Sequence, residues 1–333
     1  MNIEEKIIFQ GNTNGYDAYR IPGMISVQDA LLLTCEARVG GMGDWGDIDI
    51  LVVRLEKDGS LTEVFKVGES EKPQDGTMRT YNNPVLVPDM DRVHLIYHKN
   101  YEQAFIVTSE DEGRTWSKAR EITETFKSFP CKWNVCATGP GHGVKMDSGR
   151  LIAPIWLADG EVYEDGMRKK HWPSVAGCIY SDDHGMTWKA GALTKDICDA
   201  NETSIAQLKE DHLLFNFRNR GEEHRRILGI SVDGGKTFER QWIAEELIDP
   251  MCMGGMTSNG DKVFFVNCNT EKTRTNLKVK CSKDEGTTWE DICDVDSVGG
   301  YADIVVHDKK IVIFYEHTVG DRITELVLKS ISY

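Results

Sequence analysis

One eight-residue phrase recurs along this chain and limits its fold more than any other feature. It reads Ser109-Glu110-Asp111-Glu112-Gly113-Arg114-Thr115-Trp116, and it returns at Ser181, Ser231 and Ser282. The shared pattern is S-x-D-x-G-x-T-[WF], with starts 72, 50 and 51 residues apart. Asp can hydrogen-bond nearby backbone N–H groups, Gly can take positive φ, and the closing aromatic can bury a large apolar body. Each copy follows a β-rich run, such as Ala104-Phe105-Ile106-Val107. Each therefore reads as a hairpin tip locked by its own side chains, a structural staple with no chemistry of its own. A period near 50 residues belongs to solenoids and propellers.

The runs between the boxes use the same syntax. Met24–Val27 and Leu31–Arg38 flank a turn at Gln28-Asp29, and Pro84–Val87 and Val93–Tyr97 flank one at Asp89–Asp91. Gly143–Met146 pairs with Leu151–Trp156, Ile205–Leu208 with Leu213–Arg218, and Ile304–Val306 with Ile311–Tyr315. Lys57-Asp58-Gly59-Ser60 reads as a worn box turn. Long helical patterns are scarce. A four-stranded blade takes ~40–50 residues. With long loops expected near Tyr163–His171 and Glu239–Met253, 333 residues make about six blades. The terminal runs Ile7–Phe9 and Ile323–Leu328 are expected to share one blade and close the ring, leaving no open edge. The expectation is an all-β, six-bladed β-propeller over residues 1–333, as a single domain.

Charge narrows the partners. Asp and Glu number 54 against 39 Lys and Arg, a formal net charge of −15. That argues against nucleic acid or an anionic membrane. The nine cysteines form no C-x-x-C pair and several sit in apolar runs, so a reduced compartment and no zinc site are expected. The N-terminus lacks a secretory pattern, and no apolar run approaches the ~18 residues that span a bilayer. A cytoplasmic protein is expected, or a secreted one if a leader was removed. Gly40-Gly41-Met42-Gly43 precedes no helical pattern, the histidines show no H-x-x-x-H pair on one, and neither cofactor nor metal is expected.

Several ordered motifs resemble the exo-α-sialidases (neuraminidases), whose repeats are called Asp boxes or BNR repeats. They are Arg20-Ile21-Pro22, Glu36-Ala37-Arg38, Asp44-Trp45-Gly46-Asp47-Ile48-Asp49-Ile50, Gly139-Pro140-Gly141-His142-Gly143, Asn201-Glu202-Thr203 and Gly300-Tyr301-Ala302-Asp303. Boxes alone occur in many other proteins; boxes with these motifs in this order are specific. The resemblance runs from Arg20 to Glu316 and implies a site at the central mouth of a six-bladed propeller.

It also implies roles. Arg20, Arg218 and Arg274 match three arginines that grip the substrate carboxylate, and guanidinium suits that task because it offers paired planar donors and stays charged. Arg220, Arg225 and Arg226 are rivals to Arg218. Three arginines can act against the global charge because distant charge is screened beyond ~8 Å at physiological salt. Tyr301 matches the nucleophile and Glu202 its base; sialidases are the exception among glycosidases in using a tyrosine. A phenol, with a pKa near ~10, needs such a base, and its neutrality avoids repulsion from the sugar's carboxylate. Asp44 matches the acid/base, with Asp47 and Asp49 as rivals, and Trp45 is expected to desolvate it and raise its pKa. Glu316 matches a glutamate that orients the first arginine. Arg38 and Asn83 are expected to line the region of the sugar's O4, although many bacterial relatives carry Asp where Asn83 stands. Trp133 and Met78 are candidates for an N-acetyl wall or for plain core.

Two functions follow. One is a retaining exo-α-sialidase acting on sialylated oligosaccharides or glycoconjugates, with transfer or intramolecular release as variants. The other is a non-catalytic propeller that binds sialoglycans in the same groove.

Overall fold

The computed structural model describes residues 4–68, 79–195, 199–319 and 322–333; Met78 and Cys198 lie outside them. Six sheets, antiparallel except where the short strand Gly141–His142 runs parallel to Tyr81–Asp89, follow one another around an axis. Blade 1 is Ala18–Val27, Ala30–Val39, Asp47–Leu55 and Phe65–Val67, from the axis outward. Blade 2 is Tyr81–Asp89, Arg92–Lys99, Gln103–Ser109 and Arg120–Glu121. Blade 3 is Val135–Thr138, Leu151–Ala158, Ser174–Ser181 and Lys189–Leu193, with Val144–Lys145 beside its second strand. Blade 4 is Ala200–Gln207, Leu213–Asn219, Arg225–Ser231 and Arg240–Ile248. Blade 5 is Gly255–Asn259, Lys262–Cys268, Thr275–Ser282 and Glu290–Val298. Blade 6 takes Ala302–His307, Lys310–Val319 and Arg322–Ile331 from the end of the chain, and Glu5–Gln10 from its beginning. The ring is thus a six-bladed β-propeller closed by the two ends of the chain, with Lys6 opposite Leu328.

The stretch Glu239–Met253, expected as a loop, is largely strand, since Arg240–Ile248 is the outermost strand of blade 4. Its residues are mostly exposed, so it shows little apolar alternation. The one helix among the described residues is a single turn, Thr123–Lys127.

The core lies between blades. Met24, Leu31 and Leu33 of blade 1 pack against Val305, Phe314 and Leu326 of blade 6. Ile25 and Leu32 meet Leu86, Leu95 and Tyr97 of blade 2. Four further clusters fill the remaining junctions. The second strands thus bury both faces, and each fully buried Leu or Phe contributes about 1.5–3 kcal/mol.

The boxes tie each sheet to its predecessor. All four lie between the third and fourth strands of a blade, and the Glu56–Ser60 turn takes the same place in blade 1. In blade 3, Asp183 Oδ1 accepts from Thr187 N at 2.8 Å and from Ser181 Oγ at 2.8 Å, while Oδ2 accepts from the Thr187 hydroxyl at 2.6 Å. Ser181 Oγ in turn accepts from Gly185 N at 2.9 Å. Gly185 has φ +75° and lies so close to His94 of blade 2 that a Cβ would sit 2.4 Å from the ring. Gly113 meets Leu32 and Gly286 meets Leu214 in the same way, while Gly235 has more room, with Cys178 at 3.2 Å and Ile152 at 3.3 Å. Leu32, His94, Ile152 and Leu214 are each on the second strand of the preceding blade. The box glycine therefore satisfies two demands at once, a left-handed turn and a close approach between sheets.

Ser181→Ala leaves the buried Gly185 N–H without its acceptor. We expect a loss of about 1–3 kcal/mol in unfolding free energy. It should appear as a lower urea midpoint at unchanged m-value. A loss below about 0.5 kcal/mol, the range of an ordinary surface change, would show that the staple is dispensable.

Candidate active site

The ends of the strands opposite the boxes carry the candidate residues. Arg20, Asn83 and Glu202 stand near the starts of inner strands, and Tyr301 stands one residue before one. Arg38, Arg218 and Glu316 stand near the ends of second strands. Asp44 is in the loop joining the second and third strands of blade 1, and Arg274 just precedes the third strand of blade 5. A four-stranded antiparallel blade brings all these positions to one end.

Bulges aim the inner strands. The register shifts between Arg20 and Gly23, between Asn82 and Val85, and between Ala200 and Thr203. Such irregularities re-aim side chains beside functional sites. Two of them hold a residue at positive φ, Ile21 at +59° and Asn83 at +50°. For the β-branched Ile21 that conformation costs energy and persists only where neighbours impose it. Buried glutamates impose it: Ile21 N donates to Glu316 Oε1 at 3.1 Å, and Asn83 N donates to Glu36 Oε1 at 2.7 Å.

Tyr301 is at the centre. Its hydroxyl donates to Glu202 Oε1 at 2.6 Å and accepts from Arg218 Nη1 at 2.9 Å. The same Nη1 donates to Glu202 Oε2 at 2.6 Å. The guanidinium carbons of Arg20 and Arg274 each lie 5.1 Å from the centre of the phenol ring. Burial, and then the Glu202 carboxylate, push the Tyr301 pKa well up against the pull of Arg218, Arg274 and Arg20. The unliganded phenol is therefore neutral at physiological pH, with its proton directed at Glu202.

Glu316 holds Arg20 through Nε at 3.1 Å and Nη2 at 3.5 Å, and accepts from Tyr301 N at 3.0 Å. It is fully buried, and no shell of water compensates its charge. Arg274 differs from the other two arginines. It is exposed, and no carboxylate among the described residues lies within ion-pair distance of it.

Asp44 faces the arginines from its Gly-rich loop. Its Oδ1 accepts from Arg38 Nη1 at 3.0 Å and from Arg20 Nη1 at 3.5 Å, and 47% of the side chain remains open to solvent. The expected rise in its pKa is not found. Burial does push upward, but Arg38 and Arg20 outweigh it and hold the carboxyl well below the usual carboxylate range. Trp45 turns instead toward Tyr101 and His171, with ring centres 4.8 and 6.1 Å away. The rivals are occupied elsewhere: Asp49 accepts from Arg79 Nη2 at 2.8 Å, and Asp47 lies 3.4 Å from the same atom.

Arg38 is buried and divided among Glu36, the Met42 carbonyl and Asp44. Asn83 Nδ2 donates to the Thr138 carbonyl at 3.3 Å. Of the rivals to Arg218, Arg226 is buried on Asn216, Asp249 and the Cys252 carbonyl, and Arg225 pairs with Glu271. Arg220 stacks on Trp172. Trp133 packs in the junction of blades 2 and 3, donating to the Phe126 carbonyl at 3.1 Å. The glycine-rich Gly139–Gly143 stretch brings His142 onto Asp303 at 2.8 Å, and Met24 N donates to the same carboxylate at 2.8 Å. No cluster of metal-binding side chains occurs among the described residues.

Glu36 was not singled out from the sequence, although it stands two places before Arg38. That spacing puts both side chains on one face of the strand, which was the available signal. The aromatic group of Trp45, Tyr101, Trp156 and His171 joins three separate stretches of chain and left no local mark.

Residues 30–313 match the family model described as a BNR repeat-like domain. The chain belongs to the sialidase family with BNR repeats. It is 30% identical over 248 residues to a sialidase of Bacteroides fragilis, a match covering 70% of this chain and 42% of that protein. It is 29% identical over 283 residues to mouse Sialidase-4, covering 78% and 56%. The chain spans about half the length of the curated sialidases it matches. Among solved structures, the Hadza microbial sialidase Hz136 superposes with a TM-score of 0.84 at 22% identity, covering 98% of this chain and 68% of that one. Trypanosoma rangeli sialidase in complex with the inhibitor DANA gives 0.73 at 18% identity, covering 94% and 55%. These likenesses establish the shared fold.

Removing the charge of Glu316 leaves Arg20 buried with only the half-exposed Asp44 opposite it. We expect Glu316→Gln to lower the unfolding free energy by about 3 kcal/mol, in the range for breaking a buried pair. Differential scanning calorimetry with chemical denaturation checks this, and an unchanged melting temperature would contradict the account of Glu316.

Proposed function

We propose that this chain is a retaining exo-α-sialidase that releases terminal sialic acid from sialosides by way of Tyr301. The observation that carries the reading is the 2.6 Å contact from the Tyr301 hydroxyl to Glu202, with Arg20, Arg218 and Arg274 grouped around the same ring. A neutral nucleophile with a base in contact, surrounded by cations, suits an anomeric carbon that itself bears a carboxylate. Trypanosoma rangeli sialidase, of like fold, has been solved with sialic acid and as a covalent intermediate with 2,3-difluorosialic acid.

The steps balance as follows. The substrate carboxylate binds the three arginines, and the exposed Arg274 receives it without giving up a protein partner. Tyr301 Oη attacks the anomeric carbon while its proton passes to Glu202. The bond to the aglycone oxygen breaks, and Asp44 supplies that oxygen with a proton. Asp44 then takes a proton from water as the water attacks the anomeric carbon, and Tyr301 departs, recovering its proton from Glu202.

Asp44 must be protonated for the first step, yet Arg38 and Arg20 keep it ionised in the unliganded protein. An arriving carboxylate neutralises Arg20 and adds a negative charge nearby. Both effects raise the Asp44 pKa. Substrate binding thus prepares its own acid.

Two variants test the reading. Tyr301→Phe should remove most turnover of a 4-methylumbelliferyl sialoside while circular dichroism shows an intact fold. Asp44→Asn should cost about 10²–10⁴-fold in kcat on sialyllactose, the usual contribution of a general acid, and less on the aryl substrate, whose leaving group needs little help. Full activity in either variant would sink the proposal. NMR of the product separates free sialic acid from a transferred or anhydro product.

A further inference from the structure

Arg220 is left over from the site. It stands two residues after Arg218, one residue past the end of the second strand of blade 4. Arg218 reaches Glu202 and Tyr301, so Arg220 is one step farther out, at the rim. Its guanidinium carbon lies 4.4 Å from the centre of the Trp172 ring. No carboxylate among the described residues lies within ion-pair distance of it, and the side chain is half-buried beside another cation. Asp199 and Glu202 act on it from beyond that distance, but burial and Arg218 outweigh them, and a half-buried guanidinium in that balance with no direct ion pair is a place for an anion.

The platform is built rather than incidental. Asn201 Nδ2 donates to the His171 carbonyl at 3.2 Å and to Ser174 Oγ at 3.0 Å, and Ser174 N donates to Asp199 Oδ1 at 2.8 Å. These bonds pin the blade 3 segment bearing Trp172 to the inner strand of blade 4. Trp172 remains 38% exposed. Lys170 also approaches its ring, at 5.9 Å, but its ammonium is taken by Glu161. A guanidinium stacked on indole keeps its in-plane N–H donors free for a carboxylate.

Its place relative to the chemistry decides what it would meet. His171, next to Trp172, has its ring 4.6 Å from Tyr101 and 6.1 Å from Trp45, the neighbour of Asp44. It lies within electrostatic reach of both Asp44 and Glu202. The segment therefore flanks the acid, and the group leaving the anomeric carbon departs on the acid's side. We infer that Arg220, held by Trp172, forms an aglycone subsite for a carboxylate, so that the favoured sialosides are those whose aglycone is itself a sialic acid. This rests on the sialidase reading and names the substrate class within it.

The test measures kcat/KM for wild type, Arg220→Gln and Trp172→Ala on an α2,8-linked disialoside, on α2,3-sialyllactose and on the aryl sialoside. A hydrogen bond to a charged group is worth about 1.5–3 kcal/mol, so Arg220→Gln should lower the disialoside-to-sialyllactose ratio about tenfold or more. Trp172→Ala should move the ratio the same way by less, since the guanidinium survives but loses its support. Added salt should lower the ratio in wild type and leave it flat in Arg220→Gln. An unchanged ratio in Arg220→Gln, whether both substrates suffer or neither does, overturns the subsite while aryl sialoside turnover keeps the sialidase reading. Absence of turnover on all three substrates by wild type overturns both.

Discussion

A buried carboxylate at the seam of the ring carries more of this structure than any other group. Glu316 belongs to blade 6, yet it accepts from the side chain of Arg20 and the backbone of Ile21 in blade 1. It also accepts from the backbone of Tyr301. Ring closure and the placing of Tyr301 and Arg20 are therefore one event. Its desolvation is expensive, and the return comes from several charge-assisted and backbone hydrogen bonds made at once.

Blade 1 repeats the device one step around the ring. Glu36, on a second strand like Glu316, accepts from Asn83 N in blade 2 and holds Arg38 through Nε and Nη2. In both junctions a glutamate of one blade fixes a positive-φ residue at a bulge in the next; Glu316 also holds an arginine of that next blade, whereas Glu36 holds one on its own strand. The strained backbone at Ile21 and Asn83 is thus supported by the same groups that position the guanidinium groups. Asp44 rests on the product of both junctions, Arg20 from one and Arg38 from the other.

Much of this was legible in the sequence because it is written locally. A box spans eight residues and closes its own hydrogen bonds, so its period announced the blades. Arg20, Glu202 and Tyr301 sit in short phrases whose neighbours make the bulges and turns that aim them. What escaped notice depends on pairing between distant stretches. The hold of Glu36 on Asn83 and the contact of Arg220 with Trp172 each join stretches far apart in the chain. The pKa of Asp44 was assigned the wrong sign because Trp45, adjacent in sequence, was weighed above Arg38 and Arg20, which fold back onto it. The outer strand Arg240–Ile248 reads as loop in the sequence because a strand with one neighbour and an exposed face need not alternate.

The final blade draws its outermost strand, Glu5–Gln10, from a stretch synthesised before every other strand of the propeller. On the ribosome that strand must wait unpaired until Arg322–Ile331 has emerged, and Arg20 waits as long for Glu316. Early blades can stack as they appear, but a nascent polypeptide from which Glu316 and Arg322–Ile331 have not yet emerged holds neither a closed ring nor a supported first arginine. Pairing of such high sequence separation is slow and leaves a strand edge open to other molecules meanwhile. Assembly of the ring's centre is therefore postponed until the sixth blade has been made, which couples the placing of the first arginine to the last blade of the propeller.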